Sequence, residues 1–211
     1  MKTATKVSKK LHIVEIVLLI ALAVFLTSGA LALRTQSQLA DKVVRLHVLA
    51  NSDSEEDQAL KLRVRDKILE RATDLLERSK DRGEAEGLLR GDLLEMERIA
   101  AEEIAAAGYD YPVTAELTDT EFPTKEYDGF TLPAGEYLAL RIVIGAGGGH
   151  NWWCVVFPPL CTSAAADVPA SALAAGLSEE EVGLITEENQ GYALKFKTVE
   201  LWEKLRQNWK D

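Results

Sequence analysis

Hydrophobic positions follow three patterns in turn: an unbroken apolar block near the N-terminus, a strand-like alternation, and a helical stripe. Residues 43–50 alternate loosely between apolar and polar positions, which predicts a strand. From Glu55 the apolar residues recur every three or four positions, which predicts a helix with the stripe Leu60, Val64, Ile68, Ala72, Leu75 and Leu76. Its start has capping-box spacing in two registers, Ser54 with Asp57 or Ser52 with Glu55.

A second helical stripe lies in the middle of the chain. Leu93, Met96, Ala100 and Ile104 share one face, so a helix is predicted to open at Gly91-Asp92 and to end before Gly108. The preceding residues 80–90 contain two glycines and predict a connection or a weak helix.

Strand-like runs follow at residues 113–118 and 137–144. Between them, residues 121–127 form a proline-marked extended segment, and turns are predicted at Asp128-Gly129 and at residues 133–135. After Cys161 the Ala- and Ser-rich residues 162–178 predict a surface loop or a loose helix. The helical starts at Ser178 and Thr198 then predict short helices, the second over Leu201–Trp209 after a strand beginning at Tyr192. This order predicts an α+β fold with an antiparallel or mixed sheet covered by helices.

The apolar block near the N-terminus predicts export. Lysines precede the apolar residues 13–33, and Ala30-Leu31-Ala32 has the small-x-small pattern of a signal-peptidase site, with cleavage between Ala32 and Leu33. The block is also long enough for an uncleaved anchor with its lysine-rich end inside. The predicted organisation is a signal peptide or signal anchor over residues 1–32, a tether over 33–42 and one domain over 43–211.

Charge narrows the possible partners. The chain carries a net charge of −10, and beyond residue 32 it has 20 basic against 33 acidic groups, a balance of −13. Such a charge disfavours nucleic acid and anionic lipid, and it suits a domain that works on a protein or a neutral substrate. No metal or cofactor is predicted, because two cysteines with scattered histidines do not make a zinc set.

Candidate chemistry concentrates in residues 145–161, which hold both cysteines and a glycine cluster. One interpretation is a nucleophile, Cys154, with His150 as its base and Asn151 assisting. In an extended run, however, His150 and Cys154 stand about 13 Å apart. A phosphate cradle is disfavoured because a strand-like run, and no helix, follows the glycines. The favoured interpretation is structural, with a Cys154–Cys161 disulfide of the kind expected in an exported chain.

The adjacent Trp152 and Trp153 predict an interface. In an extended run only one of two neighbouring rings faces the core. We expect one ring in the core and the other on a partner-binding surface, with Phe122 and Lys125 of the extended segment nearby.

Three ordered blocks resemble one known family. The first runs from Arg45 to Asp66 and includes the sequence Arg-Leu-His-Val-Leu-Ala-Asn-Ser-Asp-Ser. The second is Phe122-Pro-Thr-Lys with Tyr127 and Pro-Ala-Gly-Glu-Tyr137. The third is Asn151-Trp-Trp-Cys-Val-Val-Phe-Pro-Pro-Leu-Cys. Together they resemble the stage II sporulation protein R family over about 45–161, with residues 195–202 as an extension, and no known block matches 162–178.

The resemblance implies a signalling role in an endospore-forming bacterium. Such a protein is made in the forespore and exported into the septal space, where a membrane-embedded aspartic protease needs it to process the mother cell's pro-sigma-E. The resemblance implies no enzymatic site, and the chain has no Asp-Thr/Ser-Gly triplet. The alternative from the residues is an exported cysteine hydrolase acting on peptidoglycan or peptide through Cys154, His150 and Asn151.

Overall fold

A computed structural model of the chain describes residues 2–160 and 168–186. In chain order its elements are α1 (Lys2–Ala40), β1 (Val44–Leu49), α2 (Glu55–Leu76), α3 (Arg82–Ala106), β2 (Val113–Phe122), β3 (Lys125–Tyr127), β4 (Phe130–Leu132), β5 (Gly135–Ile144), β6 (Asn151–Phe157), α4 (Val168–Ala174) and α5 (Glu179–Ile185). The contacts divide the described residues into two units, 2–36 and 37–186, and we call the second the sheet unit. The predicted elements between 192 and 209 lie outside the described residues.

Helix α1 forms the described part of the first unit. It continues through residues 33–40, so most of the stretch predicted as a tether is helical. None of the helices in the described part of the chain is both long and apolar enough to cross a bilayer. The predicted signal or anchor over residues 1–32, and cleavage between Ala32 and Leu33, stay predictions.

A four-stranded sheet in the order β2-β5-β1-β6 forms the centre of the sheet unit. Strands β1 and β5 pair in parallel, and each pairs with its outer neighbour in antiparallel fashion. The predicted α+β fold with a mixed sheet is therefore confirmed. Strand β2 is longer than predicted and extends into the proline-marked segment. The end of that segment forms β3, which pairs with β4 in a separate hairpin whose turn includes Gly129 at φ +80°.

Helices α2 and α3 cover one face of the sheet. Helix α2 begins in the first of the two predicted registers, because the Ser54 side chain accepts a hydrogen bond from the Asp57 amide at 3.2 Å. Its buried stripe packs on the sheet through Leu60, Val64, Ile68, Ala72 and Leu76. These contacts bury the apolar stripe that the sequence predicts.

The second helix starts earlier than predicted. Helix α3 begins at Arg82, after Asp81 caps the Glu84 amide at 2.9 Å, and it passes through Gly91 without interruption. The predicted start at Gly91-Asp92 is wrong because the buried stripe extends back through Ala85 and Leu89, and this burial outweighs the cost of a helical glycine.

The opposite face of the sheet carries a smaller core. It includes side chains from the hairpin β3–β4, from α4 and α5, and from the sheet residues Ala139 and Val155. Helix α5 begins at Ser178 with a full capping box, as predicted. Residues 168–174 of the predicted loop or loose helix form α4, and residues 161–167 lie outside the described part.

Candidate functional site

The glycine loop packs against the turn between β1 and α2. The amides of Gly148 and Gly149 donate to the Asn51 and Ala50 carbonyls at 3.2 and 3.0 Å. A Cβ on Gly149 would lie 2.2 Å from the Ser52 carbonyl oxygen, so only glycine permits this approach. These amides are engaged within the chain, which is a structural use of the loop and agrees with rejecting a phosphate cradle. We call residues 50–61 with 145–150 the glycine junction.

Two buried charged groups hold the glycine junction together. Asp57 Oδ2 accepts hydrogen bonds from Ser52 Oγ at 2.6 Å and from Asn51 Nδ2 at 2.8 Å. The Ser52 hydrogen bond is the largest cause of the lowered pKa of Asp57. Lys61 Nζ donates to Gln58 Oε1 at 2.6 Å and to the His150 carbonyl at 2.9 Å. Desolvation by burial lowers the pKa of Lys61.

The three residues of the predicted catalytic set have separate partners. The His150 ring contacts the Asp53 carboxylate, and Asn151 Oδ1 lies 2.8 Å from His47 Nε2. Cys154 is buried in the core under the helices and is not a free thiol. Its expected partner Cys161 lies outside the described residues, so the Cys154–Cys161 pairing and the hydrolase both stay predictions.

The two tryptophans lie on opposite faces of β6. Trp152 is 37% exposed, and the Arg65 guanidinium of α2 lies 4.2 Å from its ring centroid. Trp153 packs against the smaller core, with its ring 6.1 Å from that of His47. Lys125 Nζ lies 5.8 Å from the Trp153 ring, not beside the more exposed Trp152.

Phe122, the other predicted neighbour, is buried and packs against Arg45. Arg45 is 0% exposed, with its guanidinium carbon 3.9 Å from the Phe122 centroid and 5.0 Å from that of Tyr137. Its Nη2 donates to the Tyr127 hydroxyl oxygen at 2.6 Å. Arg45 and His47 were not predicted as site residues, although their two-residue spacing in a strand places both on one face.

Burial sets the proton equilibria of this cluster. Desolvation lowers the pKa of Arg45, and it also lowers the pKa of His47, to which the nearby charges of Arg141 and Arg45 contribute. Desolvation raises the pKa of Tyr127, so its hydroxyl keeps its proton at neutral pH. Within residues 2–160 and 168–186, no group of three acidic, histidine or cysteine side chains is arranged to hold a metal ion.

A family model and a curated relative that match this chain have the same description. The family model described as stage II sporulation protein R matches residues 40–167. A curated stage II sporulation protein R from Bacillus subtilis (strain 168) is 41% identical over 123 residues, which are 58% of this chain and 55% of the relative. The chain thus spans little more than half the length of the curated relative it matches. No solved structure matches significantly.

Proposed function

Because the chain belongs to the stage II sporulation protein R family, we propose that it is an exported signal activating the septal aspartic protease that processes pro-sigma-E. A role in sporulation follows from the family itself. The observation that carries the proposal is the extent of the match. Residues 40–167 include the six strands of the described part of the chain and both helices, α2 and α3, that cover one face of the sheet.

Two features of the sequence support export and a protein partner. The lysine-rich start and the apolar residues 13–33 suit delivery from the forespore into the space between the septal membranes, with or without retention as a membrane anchor. The −13 balance beyond residue 32 suits a protein partner better than nucleic acid. In this proposal the chain carries the signal and the protease performs the cleavage.

Trp152 is our candidate contact with the protease. Its ring is partly exposed, and the Arg65 guanidinium stacked on it adds a second side chain of the type that dominates protein interfaces. Trp153 lies on the opposite face against His47, and Lys125 lies beside it. In this arrangement Trp153 supports the fold, while Trp152 and Arg65 face the partner.

Reconstitution in a non-sporulating bacterium tests whether the chain activates the protease. The protease and pro-sigma-E are produced with or without the full chain, and cleavage is followed by immunoblot. Processing is expected only when the chain is present. Cleavage that is equally strong without the chain, or absent with a stable exported chain, contradicts the proposed activation.

Three alanine variants then separate contact from folding. Trp152→Ala should keep the melting temperature and abolish processing, whereas Trp153→Ala should unfold the sheet unit, with a cost of about 3–5 kcal/mol. Leu94→Ala removes an apolar side chain that is 81% exposed on α3, and it should change neither property. If Trp152→Ala and Trp153→Ala destabilise the protein equally, the contact surface lies elsewhere.

The hydrolase alternative requires a reactive thiol at Cys154. No geometry in the described residues favours it, because His150 and Asn151 contact Asp53 and His47. A thiol count on the exported, non-reduced protein discriminates the two functions. Two free thiols would support the hydrolase, and none would support the signalling domain.

A further inference from the structure

Four buried nitrogen atoms that have no hydrogen-bond partner among the described residues lie on the face of the sheet opposite α2 and α3. They are Nε and Nη1 of Arg45, Nδ1 of His47 and Nε1 of Trp153. Buried polar groups are normally hydrogen-bonded, because leaving them unpaired costs free energy. Four such atoms on three neighbouring side chains therefore call for a ligand.

These side chains form one continuous cluster. His47 and Trp153 are paired across β1 and β6, and Arg45 lies two residues before His47 on the same face of β1. The Phe122 ring contacts both ends, 3.9 Å from the Arg45 guanidinium carbon and 5.9 Å from the His47 ring centroid. The Tyr127 hydroxyl completes the cluster by accepting from Arg45.

The cluster is rich in donors, and no carboxylate of residues 2–160 or 168–186 pairs with it. Arg45 and Trp153 can only donate, and Tyr127 retains a hydroxyl proton. The lowered pKa keeps the His47 ring neutral at pH 7, so its Nδ1 donates only when a bound anion favours protonation of the ring. Other arginines pair with carboxylates, namely Arg63, Arg65, Arg71, Arg90, Arg98 and Arg141. Arg45 is more deeply buried, yet among the described residues its one hydrogen-bond partner is the neutral Tyr127.

We propose that Arg45, His47, Tyr127 and Trp153 form a binding site for a carboxylate group. Phe122 and Tyr137 flank the guanidinium, which favours a small, planar anion approaching in its plane. A dianionic phosphate would lose more hydration in these aromatic surroundings. The four nitrogens are closed to solvent in the structure, so entry of a carboxylate requires side chains of the cluster to move, and exposed Asn151, bonded to His47, is the side chain nearest to solvent on this path.

The site is tested by nuclear magnetic resonance titration of the full chain with sodium acetate, with sodium chloride at equal ionic strength as the control. The probes are the indole N–H of Trp153 and the Nε–H of Arg45. Acetate should shift both resonances saturably, and chloride should not. A second titration compares the blocked tripeptides Ala-Asp-Ala and Ala-Asn-Ala. Shifts with Ala-Asp-Ala alone show that the carboxylate of a protein side chain also binds to the site.

Variants assign the binding to this cluster. Arg45→Met should weaken acetate binding about tenfold to a hundredfold, as expected for lost hydrogen bonds to a charged group. Arg90→Met, at an exposed arginine of α3, should leave it unchanged. If Arg45→Met does not fold, Trp153→Phe decides, because it keeps an aromatic ring and removes only the N–H donor.

Each outcome decides for or against the site. Saturable shifts with acetate that weaken in Arg45→Met or Trp153→Phe support it, and the tripeptides then distinguish a free carboxylate from an acidic side chain. No saturable shift, an equal response to chloride, or unchanged affinity in every one of these two variants that folds overturns the proposal.

Discussion

Asp57→Asn should destabilise the sheet unit although it changes one atom. The Asp57 carboxylate is almost fully buried and accepts from Ser52 Oγ and Asn51 Nδ2 through the same oxygen. Asn51 also accepts from the Ala146 amide at 3.0 Å, so the carboxylate orients the side chain that holds the glycine loop. An amide can place its oxygen in the same position, but it carries no charge.

The size of the effect follows from these two bonds. Hydrogen bonds to a charged group contribute about 1.5–3 kcal/mol and neutral ones about 0.5–1.5 kcal/mol. Losing charge assistance in both bonds therefore costs about 2 kcal/mol in the free energy of unfolding. For a chain of this size, that lowers the melting temperature by about 4–8 °C.

Glu56→Gln is the matched control, because Glu56 is an exposed carboxylate in the same first turn of α2. It removes the same charge from the helix N-terminus without removing a buried hydrogen bond. The helix dipole alone should make this variant about 0.3–1 kcal/mol less stable. The difference between the two variants isolates the two buried bonds.

The effect of Asp57→Asn should depend on pH. The folded-state pKa of Asp57 lies below its ordinary value, chiefly because of the Ser52 hydrogen bond. The stabilisation is therefore complete above the unfolded-state pKa, about 3.9, and is lost as the pH falls through the lower folded-state value. Wild type and variant should differ fully at pH 7 and converge in acid.

Urea denaturation followed by circular dichroism, at pH 7 and at several values below 4, measures these differences. Equal losses in Asp57→Asn and Glu56→Gln at pH 7 would refute the reasoning, because the buried bonds would then contribute nothing beyond the dipole. A stability gap that stays constant in acid would refute it as well.

Other predictions address the glycines, the cysteines and export. Gly149→Ala should destabilise the fold strongly because its Cβ has no space, whereas Gly91→Ala, in open space within α3, should stabilise it by about 0.5–1 kcal/mol, both read from melting temperatures. Cys154→Ser and Cys161→Ser should cost a similar amount, about 2–4 kcal/mol, and loss of function in Cys154→Ser alone at a normal melting temperature would favour the hydrolase. Deleting residues 1–32 should leave a stable cytoplasmic protein that does not support pro-sigma-E processing, and full processing without leakage would contradict export.

Local patterns were sufficient to predict most of the sheet unit. The alternation in β1, the stripe of α2 and the caps at Ser54 and Ser178 depend on neighbours a few residues away, and the structure confirms them. The start of α3 was missed because glycine suggests a break locally, whereas burial of Ala85 and Leu89 depends on the distant sheet. The β2-β5-β1-β6 order depends on long-range pairing that no short window contains.

The candidate sites divide in the same way. The Trp pair was visible because strand geometry sends adjacent side chains to opposite faces. The Arg45 cluster was not, because it needs the register that places His47 opposite Trp153, and it needs β2 to extend as far as Phe122. The polar residues of the glycine junction favoured a catalytic or binding site as one interpretation of the sequence. In the folded chain they form hydrogen bonds between residues 50–61 and residues 145–150 instead.

The alternation of β1 links the core to the proposed carboxylate site. Val44, Leu46 and Val48 must face α2 and α3 to bury that side of the sheet, and this forces Arg45 and His47 to the other side. A one-residue slip in register would place a guanidinium in the large core, at a cost of several kcal/mol. The apolar face therefore fixes the position of the unpaired cation. The burial of Arg45 is then a consequence of the fold. The absence of a carboxylate partner among the described residues is not, because an acidic residue facing Arg45 from β3 or β5 could have supplied one. This second feature is the one that a ligand explains.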